Sequence, residues 1–416
     1  MDIFLARQPI FDRELNVFGY ELFFRTGMNN AFPGGDGSIA SSKVIADGMH
    51  TLGLEMVTGG RPAFINFTRD LLLQRVATVM PKENVIIEIL ETIDPDPEVI
   101  AACVELKANG YQLALDDVDL RRAVQAQKLA ELADIIKVDF QITTPDEQRA
   151  LVVRFAPNKS LMLAEKVETR ESFDAALRMG YCYFQGYFFA EPVIISSRDV
   201  PAFKINLLQL MREIHQENLN FVQLENIMKR DMAVAYKLLR YVNSAALGIR
   251  NEISSIKQAL VMLGEREVKK WITLLALAGM GEDQPHEMVR VSLTRARLLE
   301  NLASAANLGD QKGDLFLLGL FSLIDAVIGR PMLEILAGLP IAYQIKNALL
   351  GHDNRLRQLF DVVLAYEKAN WDAFSAAAKS AGLDEKAVPE AYLQALEWTN
   401  QIYKVHANEA KLSRRK

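Results

Sequence analysis

Polar side chains able to bind a cation or move a proton recur in this sequence at one kind of place. Each stands at or beside the end of a short apolar run. Asn66 lies in Ala63-Phe64-Ile65-Asn66-Phe67, Glu88 in Val85-Ile86-Ile87-Glu88-Ile89, and Asp116-Asp117 follow Gln112-Leu113-Ala114-Leu115. Lys137 and Asp139 lie in Ile135-Ile136-Lys137-Val138-Asp139, Glu165 closes Leu161-Met162-Leu163-Ala164-Glu165, and Gln185 lies in Cys182-Tyr183-Phe184-Gln185-Gly186-Tyr187. An earlier run adds Glu21 and Arg25. Gathered together, carboxylate and amide oxygens suit a hard cation, Mg²⁺ or Mn²⁺, rather than zinc or copper. Carboxylates with no counter-ion repel one another, so such a cluster raises its pKa values or recruits a cation. Two divalent ions side by side are a recurrent means of cleaving a phosphodiester, one activating water and the other steadying the leaving oxygen. Taken singly, each acid reads more readily as a helix cap or a surface ion-pair partner. Their recurrence at successive run ends is what points to chemistry.

These runs must be positioned by regular elements. They return at intervals of roughly 20–28 residues with helix-like stretches between them, the rhythm of strand–helix units with a parallel sheet. Before them, Phe4–Phe11 and Val17–Phe24 flank Asp12-Arg13-Glu14-Leu15-Asn16 and predict a hairpin. Six or more such units closing on themselves predict a TIM-like (β/α) barrel, whose active sites gather at the C-terminal ends of the strands. After about Pro192 the rhythm becomes helical. Apolar spacing predicts helices over Val200–His215, Val222–Lys229, Ala233–Asn243, Ser255–Leu263, Glu267–Ala278, Met288–Ala306, Leu315–Ile328, Ile341–Leu349, Arg355–Lys368 and Pro389–Val405. The expected fold is therefore α/β plus all-α. A barrel domain spans residues 1–195 and an all-helical domain residues 200–416, with the boundary at Val193–Asp199.

The totals agree with two domains in 416 residues, half of them hydrophobic and 24% charged. A formal net charge of -6 argues against a whole-protein grip on nucleic acid. Two cysteines, Cys103 and Cys182, cannot form a disulfide framework, and five scattered histidines do not suggest a histidine-based metal cluster. The N-terminus lacks the charged-then-apolar layout of a signal peptide. The longest apolar stretches, around Leu315–Ile328 and Trp271–Met280, are too short or too interrupted to span a bilayer. A cytoplasmic protein with no membrane insertion and no specific nucleic-acid partner is expected.

Residues 1–195 resemble the EAL domains, which hydrolyse the bacterial second messenger cyclic di-GMP. Gln8-Pro9-Ile10 resembles the family's opening strand, and Tyr20-Glu21-Leu22-Phe23-Phe24-Arg25 stands where its Glu-Ala-Leu signature falls. Asn66, Glu88-Ile89-Leu90-Glu91-Thr92, Asp116-Asp117, Lys137-Val138-Asp139, Glu165-Lys166-Val167-Glu168-Thr169 and Gln185-Gly186-Tyr187 follow in family order. The resemblance implies that Glu21, Asn66, Glu88 and Asp116 bind a first Mg²⁺ or Mn²⁺. It implies that Asp117 and Glu165 serve a second ion and the attacking water, and that Lys137 holds that water or the phosphate charge. Arg25 is implied to contact phosphate, Gln8 and Gln185 the nucleotide, and Glu91 to brace the loop above the site. The chain departs from the family in three places. Ala-Leu of the signature is Leu22-Phe23. The glycine-rich Phe-Gly-Thr-Gly-Tyr that usually follows the aspartate pair is Val118-Asp119-Leu120-Arg121-Arg122, which cannot easily take the same backbone path. Lys166 replaces a glycine, and its ammonium stands near the site as a cation able to lower metal affinity.

Residues 200–416 resemble the HDOD domain, a helical output module related to HD phosphohydrolases. The match rests on Asp231–Ala245 and on Ile256-Lys257-Gln258-Ala259-Leu260-Val261-Met262-Leu263-Gly264. The two domains in this order resemble the YuxH-like signalling proteins. His352-Asp353 spells the phosphohydrolase dipeptide at a helix break, where a loop or cap role is expected. The stretch aligned with that dipeptide is Ser322-Leu323-Ile324-Asp325, with an isoleucine in the histidine's place, so no catalysis is expected in this half. The leading expectation is a signalling protein that binds or hydrolyses cyclic di-GMP and relays its state to a protein partner through the helical domain. The alternatives are an inactive protein-interaction scaffold with a vestigial site, and a metal phosphodiesterase with another substrate.

Overall fold

Eight strands close into one barrel in chain order: β1 (Ile3–Phe11), β2 (Val17–Thr26), β3 (Ala63–Phe67), β4 (Val85–Ile89), β5 (Gln112–Leu115), β6 (Ile135–Asp139), β7 (Leu161–Glu165) and β8 (Tyr183–Gln185). The computed structural model describes residues 3–26, 54–188, 219–229, 232–243, 255–280, 286–328, 331–338 and 341–413, with single positions between 207 and 253. The expected boundary at Val193–Asp199 and most of the expected helix Val200–His215 lie outside the described residues. Strand β1 runs antiparallel to both β2 and β8, and every other neighbouring pair is parallel. The expected hairpin explains the exception. Asp12 Oδ1 accepts from the backbone N–H groups of Glu14 and Asn16 at 2.9 and 2.8 Å, folding β1 back onto β2.

Parallel neighbours need crossovers. Helices α1 (Leu54–Thr58), α2 (Arg69–Leu73), α3 (Pro97–Ala108), α4 (Leu120–Gln125), α5 (Gln127–Leu132), α6 (Pro145–Phe155) and α7 (Arg170–Met179) lie between the strands. Their starts are written in the sequence. The Asp96 carboxylate accepts from the N–H groups of Glu98 and Val99 ahead of Pro97, and Thr144 with Glu147 forms a capping box ahead of Pro145.

Side chains alternate along a strand, so two residues further along each strand the side chain points the same way. Ile10, Phe64, Ile86, Ala114, Ile135 and Leu163 form a buried layer inside the barrel, against which Phe18 and Tyr183 stack with ring centroids 4.1 Å apart. Burying a side chain of leucine or phenylalanine size stabilises by about 1.5–3 kcal/mol. One pleat above that layer the inward positions are Gln8, Asn66, Glu88, Asp116, Lys137, Glu165 and Gln185. Glu21 joins them through its register with Gln8.

Beyond β8 the described residues contain helices and no strand: α8 (Phe221–Met228), α9 (Met232–Val242), α10 (Ile256–Met280), α11 (His286–Leu302), α12 (Lys312–Leu320), α13 (Ile324–Ile328), α14 (Met332–Gly338), α15 (Tyr343–Leu349), α16 (Arg355–Glu367), α17 (Trp371–Ala381) and α18 (Ala387–Ser413). The two helices expected over 255–278 run on as α10, with a break at Gly264 (φ 72°, ψ 167°) where the sequence divides them. Among the described residues no helix is long and apolar enough to cross a membrane.

The compact units follow packing rather than the change of rhythm. One unit is drawn from 1–191, 294–319 and 355–416, the other from 192–293 and 320–354. In the first, the edge of Phe4 meets Trp371 and Phe374 at 6.4 and 6.0 Å between centroids. The Tyr366 hydroxyl donates to the Leu5 carbonyl at 2.9 Å and accepts from its N–H at 3.2 Å. Arg295 forks onto the buried carboxylate of Glu367, and Asn400 Nδ2 donates to the Met56 carbonyl at 2.7 Å. In the second unit, the Asn243 side chain both donates to and accepts from the Ile253 backbone at 2.8 Å.

Candidate active site at the barrel mouth

One cation sits among the buried carboxylates. Lys137, on β6, is 1% exposed and its ammonium contacts four acids. It lies 2.7 Å from Glu165 Oε1, 2.8 Å from Asp116 Oδ1 and 3.4 Å from Glu21 Oε2, and it also pairs with Glu88. The amides complete the ring. Gln185 Nε2 donates to Glu21 Oε2 at 2.7 Å and to Gln8 Oε1 at 3.1 Å, and Asn66 Nδ2 donates to Glu21 Oε1 at 3.1 Å. Removing an ion from water costs several kcal/mol even after relaxation. One ammonium against four carboxyl groups leaves acids in excess of the cation at the ring.

The loops that leave the strands shape the rim. Asp117 (φ 45°) and Lys166 (φ 51°) both lie in the left-handed region, which disfavours side chains other than glycine. Lys166 ion-pairs with Asp139, the last residue of β6. Gly186 has φ 145°, and a Cβ there would stand 1.9 Å from the Val167 carbonyl oxygen, so only glycine lets these two strand ends approach. In the segment that replaces the family's glycine-rich loop, Asp119 caps α4 by accepting from the Arg122 N–H at 2.6 Å. The Arg122 guanidinium then donates to the Leu90 carbonyl at 2.7 Å and to that of Glu91. Hydrogen bonds thus tie the loop after β5 to the loop after β4 where the family uses glycine.

Burial raises the carboxyls of Asp116 and Asp117, the former further through Glu165 and Glu21. Burial also pushes Glu165 up to about 7, against the pull of the Lys137 ammonium. Arg122 is lowered by burial, with Glu91, Asp116 and Asp117 opposing. The donor set fits a hard divalent cation. Glu21, Glu88 and Glu165 each place one oxygen within 4.8 Å of the others, and Glu91, Asp116 and Asp117 do the same. Asn66 Oδ1, Glu88 Oε2 and Asp117 Oδ1 are buried and accept no hydrogen bond, which is costly unless a cation is bound.

The structure therefore brings Glu21, Asn66, Glu88, Asp116, Lys137, Glu165, Gln8 and Gln185 together, with Asp117 and Glu91 beside Asp116. Arg25 has different surroundings. Its guanidinium lies 3.7 Å from Glu385 Oε2 and over the rings of Phe4 and Trp371 at 5.4 and 5.7 Å. Asp139, expected at a strand end but given no role by the resemblance, lies on the same face as Lys137 through strand alternation and pairs with Lys166. Nothing in the local sequence signals Glu385 or the clamp made by Arg122. In the helical half, His352 is exposed in the turn after α15, and Ile324 is buried at the start of α13.

A barrel of this topology with acids and a lysine at the C-terminal strand ends is of the EAL type. The family model described as the EAL domain matches residues 57–192, and that described as the HDOD domain matches residues 200–335. YuxH of Bacillus subtilis is 36% identical over 408 residues, covering 97% of this chain and 99% of YuxH. Cyclic di-GMP phosphodiesterase CdgJ of Vibrio cholerae is 33% identical over 402 residues, covering 96% of this chain and 93% of CdgJ. Among solved structures, the Bacillus subtilis YkuI protein, with an EAL domain and in complex with substrate c-di-GMP and calcium, is 18% identical. That likeness covers 56% of this chain and 72% of YkuI, with a TM-score of 0.38. The chain belongs to the YuxH-like family, in which an EAL domain is followed by an HDOD domain.

Proposed function

We propose that the barrel binds cyclic di-GMP at its C-terminal mouth with Mg²⁺ or Mn²⁺, hydrolyses one of its phosphodiester bonds, and relays its state through the HDOD domain to a protein partner. The observation that carries this is the closed ring of Glu21, Asn66, Glu88, Asp116 and Glu165 around Lys137, with buried oxygens left over for a cation. The kinship with CdgJ supports the choice of nucleotide. When bound, the divalent ion supplies Lewis-acid stabilisation of the phosphoryl oxygens. Glu21, Asn66, Glu88 and Asp116 hold it, and Asp117 borders it. Glu165, poised near neutrality, takes a proton from the attacking water. Lys137 offers its ammonium to the charge that builds on the phosphate as the P–O bond breaks. Gln8 and Gln185 orient the nucleotide, Glu91 braces the loop, and Arg25 meets phosphate only after leaving Glu385. The leaving ribose oxygen takes a proton from solvent, and the product is the linear dinucleotide.

A second reading, binding without turnover, is favoured by Lys137 occupying the ring and by Lys166 at its rim. Calorimetric titration of cyclic di-GMP with Ca²⁺, then incubation with Mg²⁺ or Mn²⁺ and product analysis, separates the two. Linear dinucleotide establishes hydrolysis, and binding with no product establishes a sensor. No binding in any metal leaves the interaction scaffold.

A further inference from the structure

Two triplets of acidic oxygens stand at the mouth, Glu21–Glu88–Glu165 and Glu91–Asp116–Asp117. Phosphodiester chemistry often uses two divalent ions side by side, and two triplets invite two ions. Lys166 argues otherwise. It directly follows Glu165 and keeps φ 51°, a conformation that disfavours any residue but glycine by about 1 kcal/mol or more. Its ammonium pairs with the buried carboxylate of Asp139. Asp139 in turn lies two residues past Lys137, so three successive strand ends, β5, β6 and β7, present Asp117, Asp139 and Lys166 to one another. The fields agree with this placement. Among the charges acting on Asp117, that of Lys166 comes first, and Lys166 in turn feels those of Asp117, Asp139 and Glu165. On the other flank, the Arg122 guanidinium is fixed on the Leu90 and Glu91 carbonyls and interacts with Glu91, Asp116 and Asp117.

We propose that Lys166 is a tethered cation that takes the place of a second divalent ion on the Asp117–Asp139 side of the mouth, so that the barrel holds one divalent ion per chain. The inference rests on the reading of the ring around Lys137 as a metal site. An ammonium brings one positive charge where a metal brings two, and it offers no coordination position for water. The Asp117 side of the site is thereby neutralised in part without gaining a second activating centre. Lys166 is a specificity-determining residue for metal count, and its strained backbone is retained for the charge it delivers.

The test is Mn²⁺ binding to the full-length protein, read by calorimetry and by loss of the free-ion electron paramagnetic resonance signal. Wild type is compared with Lys166→Gly and Lys166→Met. Glycine suits φ 51°, so the first variant keeps the fold and removes strain. Methionine keeps the bulk and the strain and removes only the charge. One ion in wild type and two in both variants is the expected result, with the second ion gaining at least about tenfold in affinity. Two ions in wild type overturn the proposal, as does one ion in all three proteins. A gain in the glycine variant alone also overturns it, since backbone relief rather than charge is then responsible. No Mn²⁺ on any of the three proteins instead defeats the metal-site reading itself.

Discussion

Lys137 and Glu165 set the electrostatic state of the barrel mouth one residue at a time. Without the Lys137 ammonium, Glu21, Glu88, Asp116 and Glu165 lose the cation that all four contact. Lys137→Met is expected to destabilise the metal-free protein by about 3–5 kcal/mol, the usual result of removing one partner from a buried ionic group. Millimolar Mg²⁺ should restore much of that. Thermal melts in chelator and in Mg²⁺ measure both effects, and an unchanged midpoint in chelator contradicts the prediction. Glu165 has a pH signature of its own. Its folded carboxyl lies near 7 and its ordinary value is 4.5, so over that interval the folded state binds the proton more tightly. The stability due to this group is complete below about pH 4.5 and is lost as pH rises through about 7. The metal-free protein should therefore melt lower at about pH 8 than at about pH 5, and Glu165→Gln should flatten the difference. A wild-type midpoint that rises across this range contradicts the assignment.

At the scale of elements, a guanidinium braces the segment that stands where the family has its glycine-rich loop. Arg122 ties α4 to the carbonyls of Leu90 and Glu91. Arg122→Ala should leave the barrel strands protected from hydrogen exchange. Exchange should speed up several-fold at residues 90–96 and 118–125, a local opening of loops joined by few bonds. Unaltered exchange there means that the loops hold their path without the clamp. This division between strands and loops matches what was legible in the sequence. The strands from β3 to β8 could be read because each is a short apolar run with a polar residue at or beside its end, as Glu88 stands in Val85–Ile89 and Lys137 in Ile135–Asp139. Helix α17 was not expected. Its run Trp371-Asp372-Ala373-Phe374-Ser375-Ala376-Ala377-Ala378 is mostly alanine and polar, and its buried face amounts to Phe374 and Ala378, with Phe374 packed on Tyr366 and on the sequence-distant Phe4. The partners of Arg25 were hidden for the same reason. Glu385 lies 360 residues away along the chain and carries no local pattern.

At the scale of the whole molecule, the helices after residue 355 belong with the barrel in packing, although they fall outside the residues matched by either family model. They meet the barrel at the end of the β1–β2 hairpin that bears Arg25. Trp371 stands at the centre of that contact, packed edge to face with Phe4, Tyr366 and Phe374 and lying beneath the Arg25 guanidinium. It is only partly buried, so Trp371→Ala should cost about 2–3 kcal/mol, below the 3–5 kcal/mol usual for a fully buried aromatic. The same substitution removes a ring that lies against the Arg25 guanidinium. If Arg25 meets the phosphate of cyclic di-GMP, the variant should bind the nucleotide roughly three- to tenfold more weakly even under conditions where it is fully folded, a loss of about 1 kcal/mol. Thermal melting and calorimetric titration on the same preparation separate the two effects. A lowered melting point with unchanged affinity would confine the C-terminal helices to supporting the barrel. A loss in both would make them part of the nucleotide site, and would give the helical half a covalently continuous route by which occupancy of the mouth is felt beyond it.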